Sequence, residues 1–195
     1  MTEKIKKDQL TFDFEDGCGP VPAHRHANGG GWVADTAQVD DSAFINGEAW
    51  VFDKAWVSGE ARVFGEARVF GEARVSGEAW VFGEARVFGE ARVFGEARVF
   101  GEARVFGEAR VSGEARVSGE ARVSKNIITV CGLRYFVTIT DTHLSAGCEC
   151  HSFADWRNFT QARIKKMDGK NATEFYPMLL RLLDCFENEM REVKT

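Results

Sequence analysis

From Val33 to Val123 every sixth residue is aliphatic, sixteen positions that hold Val or Ile without exception. Four residues after each of these, the last apart, stands Ala, from Ala37 to Ala121. Between Gly83 and Arg110 the pattern becomes one literal word, Gly-Glu-Ala-Arg-Val-Phe. A period of six matches neither the 3.6 of a helix nor the seven of a coiled coil. A helix with Gly at every sixth place would lose about 1 kcal/mol at each. The pattern therefore predicts short β segments with a turn in every copy.

The word ends abruptly on both sides, so three parts separate. Residues 1–31 form a head that ends in a Gly-rich joint, residues 32–124 the repeat, and residues 125–195 an α+β tail. In the tail, "NIITVCGLRYFVTITDTHLSAGC" predicts two or three antiparallel strands with turns near Gly132 and Asp141. Val137, Thr138, Ile139 and Thr140 alternate apolar with polar. Ser152 with Asp155 three residues on predicts a capping box and a helix start. That helix should break around Thr160 and stop at Asp168-Gly169. Asn171 with Glu174 predicts a second box, and Pro177 a kink or a fresh start. Leu179, Leu183, Phe186 and Met190 make one apolar stripe, expected to be tail core.

An aliphatic residue and a small residue at fixed places in a six-residue word resemble the hexapeptide repeat of the left-handed parallel β-helix. The resemblance covers about half the chain. It implies three hexads per triangular coil, the aliphatic residue inward, the small residue beside it, and a turn at each corner. Sixteen hexads make a little over five coils, and at the ~4.8 Å between neighbouring strands the prism is roughly 25 Å long. Its two open ends need caps, which the head and tail are placed to supply. The segments "NGGGWVADTA", "GCECHSFADWRNF" and "KMDGKNATEF" resemble hexapeptide-repeat proteins of unknown function in bacterial genomes and prophages. That likeness brings no established activity. It points to a phage counter-defence or host-interaction role.

The residue after each aliphatic one lies outside such a core, near the corner. Stacked at 18-residue intervals, one edge carries Phe52, Phe70, Phe88 and Phe106, and a second Phe64, Phe82 and Phe100. The third reads Asp40, Ser58, Ser76, Phe94 and Ser112. Aromatic stacking along the axis would stabilise the prism. The difference between edges points further, to association on the two Phe edges, because contiguous apolar surface commonly marks an interface. Trp50, Trp56 and Trp80 replace Arg in the word and are candidate anchors for a partner, or packing beneath the head. Glu and Arg of the word should both face solvent and neutralise one another as columns.

Composition narrows the function classes. A formal net charge of −5 provides no basic footprint for nucleic acid. No stretch approaches the ~20 apolar residues of a membrane span. The N-terminal segment has no signal-peptide pattern, and five cysteines are expected as reduced thiols in a cytoplasm. An acyltransferase needs a base at a coil edge, and no His lies between His26 and His143. His24 and His26 are the alternative catalytic pair. The repeat supplies no three-His zinc set for carbonic-anhydrase chemistry, and no Thr rows for ice. His143, Cys148, Cys150 and His151 are the alternative metal ligands, at a spacing unlike a standard finger. The sequence reading is a non-catalytic protein with no cofactor, binding a protein partner or a second copy of itself.

Overall fold

The computed structural model describes residues 10–125 and 127–192, with side chains described up to residue 187. Sixteen short strands, β3–β18, follow one another every six residues from Trp32–Ala34 to Arg122–Val123. Each but the last three pairs in parallel with the strand 18 residues on, as Arg68 faces Arg86 and Val69 faces Val87. Three parallel sheets result, and they enclose a solenoid of about five coils.

The residue choices follow from the pairing. Each strand presents Val inward, at 0% exposure from Val51 onward, with the Ala of every word buried beside it. The repeat core is Val and Ala, with Ile45 the larger exception. Corners are β-turns in which the Ala N–H donates to the carbonyl two residues before Glu, as Ala109 does to Phe106. Gly is the first central residue of the turn, and Gly89 has φ +70°. A Cβ there would also lie 3.0 Å from the Gly107 nitrogen of the next coil. Gly is thus required for backbone conformation and for close stacking. Asp53 takes the same place with φ +58°, and its carboxylate accepts from the Gly71 N–H at 3.0 Å.

The head closes the first end. Strands β1 (Thr11–Phe12) and β2 (Val21–Arg25) add antiparallel to β3, which extends one solenoid sheet. The joint after β2 folds against the first coil. Asn28 Nδ2 donates to the Ala43 carbonyl at 3.0 Å, and Arg25 Nη1 to those of Gly30 and Gly47. Gly31 lies so close that a Cβ would meet the Asn46 carbonyl oxygen and Ile45 Cγ2 at 2.5 Å.

The tail closes the other end with a four-stranded antiparallel sheet, β19 (Ile128–Val130), β20 (Val137–Ile139), β21 (His143–Ala146) and β22 (Glu149–Ser152). The sequence pattern foresaw two or three strands; Glu149–Ser152, rich in polar residues, carries no strand signal of its own. The alternation of the sheet has a specific use. Val137, Ile139, Leu144 and Ala146 pack against the helices. The opposite face holds Thr138, Thr140 and Ser145, polar yet 5% exposed or less. Backbone groups at the solenoid end lack a following coil and bond to this tail instead. The Arg116 N–H donates to Thr138 Oγ1, the Arg122 N–H to Thr142 Oγ1, and Cys150 Sγ donates to the Ser118 carbonyl.

Helix α1 (Phe153–Asn158) starts at the expected Ser152 cap, whose oxygen accepts from the Asp155 N–H at 3.1 Å. The next helix, α2 (Gln161–Glu192), breaks at Asp168 and Gly169 as the pattern suggests. Two expectations are corrected. Asn171 caps nothing, because its side chain instead joins Arg134 to Asp168. No fresh start occurs at Pro177, because the helix passes through it and the non-helical angles in α2 lie at Asp168 and Gly169. Leu179 and Leu183 of the stripe are buried and Phe186 packs against that core. The Met190 side chain lies outside the described residues.

Candidate functional site

The corner phenylalanines form continuous stacks. On the first edge, ring centroids lie 4.9 Å apart for Phe52–Phe70, 5.0 Å for Phe70–Phe88 and 5.4 Å for Phe88–Phe106, with planes within 11°. On the second, Phe64–Phe82 and Phe82–Phe100 lie at 4.8 and 4.9 Å. The 18-residue register imposes this spacing, since it is the strand separation itself. Most rungs are half-buried. Phe52, at 4%, is covered, and Phe94 on the third edge stands out at 39% with Ser76 and Ser112 above and below it in the column.

The first stack has a rung that sequence reasoning missed. Phe14 of the head lies 4.9 Å from Phe52 at 17°, so a residue outside the repeat continues the ladder. Phe12, two residues earlier, stacks on Trp32 at 4.3 Å. The signal was available in "TFDF", where the two aromatics share a parity. The stacks stop where the tail begins. Ser112, Ser118 and Ser124 occupy the final corners, and Ser118 is buried beneath the tail. A Phe there would occupy the space the tail needs to reach the backbone.

The three tryptophans have separate surroundings. Trp50 lies beneath the head, against Phe12 and Phe14, with the Arg68 guanidinium 4.0 Å from its ring. Trp80 lies between Arg62 and Arg98 of its own column, at 5.4 and 4.8 Å. Trp56 is 41% exposed and touches Arg74. Trp56 is therefore the most open member of the set, and Trp50 packs under the head.

Glu and Arg of the regular copies lie outside, as expected. Among the described residues, the Lys or Arg ion pairs that reach the solenoid are Arg68–Glu15 at 3.1 Å and Lys54–Glu72 at 3.4 Å. Each uses one residue from outside the word. The columns therefore balance in total charge and not through direct contacts.

The alternative catalytic residues sit at the head. The Nδ1 of His24 lies 2.9 Å from the Asp35 carboxylate, and both side chains are about half exposed. His26 is buried, and its Nδ1 faces the backbone of Asn28. In the tail, the structure does not gather the alternative metal ligands. His143 shares a sheet face with Cys150, while His151 pairs across from Leu144 on the other face. Cys150 is turned to the Ser118 carbonyl, His151 Nε2 to Glu149 at 2.7 Å, and Cys148 is exposed at a turn. Among the described residues no helix is long and apolar enough to cross a membrane.

No protein-family model matches the chain, and no curated protein is significantly similar to it.

Proposed function

We propose that the protein is a non-catalytic scaffold, a rigid solenoid that associates along its phenylalanine edges. The observation that carries this reading is the pair of partly exposed stacks on two edges opposed to the Ser-rich third. A second copy is the partner the geometry fits best. Its edge repeats at the same interval, so each ring of one ladder meets an equivalent ring along the whole contact. Burying one exposed Phe contributes roughly 1.5–3 kcal/mol before the costs of association. Phe52 is already covered by Phe14, so the first edge offers a partner three rungs, Phe70, Phe88 and Phe106. A different protein with an apolar strip would dock by the same edge.

The likeness of the repeat to left-handed hexapeptide β-helices, and of the flanks to bacterial and prophage proteins, supports a sharper form. In that form the scaffold acts in the cytoplasm as a counter-defence or host-interaction protein. Light scattering on the purified chain tests the association. The mass should exceed the 21.7 kDa of one chain and fall when Phe70, Phe88 and Phe106 become Ser. An unchanged mass with a lowered melting temperature would reduce the ladders to internal stacking.

A second reading rests on one observation, the His24–Asp35 contact. A carboxylate on Nδ1 orients an imidazole as a general base, which is the geometry an acyltransferase would use. Saturable binding of an acyl-coenzyme A, lost in His24→Gln, would favour it over the scaffold.

A further inference from the structure

The tail contains a cavity that the phenylalanine edges do not involve. It lies between the apolar face of the sheet and α2 and has a volume of about 330 Å³. The break in α2 builds it. Ile164 and Met167 come from the segment before Asp168, Phe175 and Leu179 from the segment after Gly169, and Tyr135 and Trp156 complete the wall. Ligand pockets span about 300–1,000 Å³, so this one has room for one or two fused rings.

Its charge is one-sided. Among the described residues, Glu149 and Asp168 line it and neither Lys nor Arg does. Glu149 is already matched by His151 at 2.7 Å and Arg163 at 3.8 Å. Asp168 is not. Its carboxylate accepts from the Tyr135 hydroxyl at 2.5 Å and from Asn171 Nδ2 at 3.3 Å, both neutral donors. The Arg134 guanidinium donates to the other end of the Asn171 amide, its Oδ1, at 2.6 Å. Burial, and then the Asp168 hydrogen bond, push the Tyr135 hydroxyl up to about 12, so it remains a donor at neutral pH. A carboxylate whose direct partners are neutral thus stands beside an aromatic cavity of ring size.

We propose that this cavity binds a small organic cation, its flat apolar body between the aromatic walls and its ammonium group on the Asp168 carboxylate. The aromatic walls add to the attraction, since ring faces favour a cation. The proposal stands apart from the scaffold reading and survives its failure.

Calorimetry on the full chain with two probes of the same ring and opposite charge tests it. Tryptamine should bind at one site per chain, at least about tenfold more tightly than indole-3-propionate, the scale of one charge-assisted hydrogen bond. Asp168→Asn should weaken tryptamine about tenfold, and Ala172→Phe, which fills the cavity, should abolish its binding. Equal affinities for the two probes, no saturable tryptamine binding, or undiminished binding in a folded Asp168→Asn protein would each overturn the proposal. Circular dichroism establishes that the variants fold, and the two probes decide the matter on the unaltered chain if they do not.

Discussion

Asp141 closes the last coil on Ser124. Its carboxylate accepts from the Ser124 N–H at 2.7 Å and from the Ser124 hydroxyl at 2.5 Å, while the Asp141 N–H donates to the Arg122 carbonyl at 3.2 Å. One residue therefore serves two backbone groups that the next coil would otherwise have satisfied. Asp141→Ala should cost about 1–3 kcal/mol, the penalty of partly buried groups left unpaired. It should also speed amide exchange at Ser124. Asp141→Asn, which keeps an acceptor, should recover part of the loss in the same chemical-denaturation measurement.

Val87 is fully buried in a column of identical residues. Val87→Asp would place an unpaired charge in that column, at a cost of several kcal/mol. The expected result is loss of the β spectrum in far-ultraviolet circular dichroism, or a melting temperature lowered by tens of degrees.

Two phenylalanines in the same place in the word should respond differently. Phe52 is covered by Phe14 and Phe70, so Phe52→Ala should cost about 3–5 kcal/mol. Phe94 is exposed between serines, and Phe94→Ser should change stability by no more than about 0.5 kcal/mol. Urea midpoints of the two variants check the contrast.

Glycines of the turns should divide in the same way. Gly89→Ala meets both the left-handed conformation, about 1–2 kcal/mol, and the backbone of Gly107. Gly113→Ala meets the conformational cost alone, because nothing lies within 4 Å of a Cβ there. The first should lower the denaturation midpoint more than the second.

His143 gives the tail a pH dependence. Burial lowers its proton affinity below the usual value, with His151 acting in the same direction and Glu120 and Asp155 opposing. The unfolded chain then binds the proton more readily than the folded one. Stability should fall as pH drops through the ordinary histidine value of 6.5, and the loss should level off below the folded value. His143→Gln should flatten that part of the stability curve, as read from melting temperatures across the acid range.

The solenoid was legible because its rule is local and repeated. The position of Val87 recurs as Val or Ile at sixteen places and that of Phe88 as Phe at eight, so the period predicted the coil, the core and the stacking of the edges. The helix break at Asp168-Gly169 was legible for a similar reason, turn chemistry within two residues. What escaped depends on contacts between parts with no shared pattern. Phe14 belongs to a ladder whose other members are 38 or more residues away along the chain. Thr138 reads as a solvent-facing strand residue until the solenoid end is placed over it. The tail cavity needs Tyr135, Trp156 and Phe175 from three separate elements, and no spacing connects them.

The 18-residue register also makes length an adjustable quantity. Among the described residues, head and tail bond to the coils nearest them, and the identical copies between are interchangeable. Removal of 18 residues, such as 83–100, would shorten the rod by one strand spacing and leave each edge in phase. Removal of six would turn the tail by a third of a revolution about the axis relative to the head. A gene that slips by whole coils yields a graded set of rulers; one that slips by single words yields a set of rotated ones.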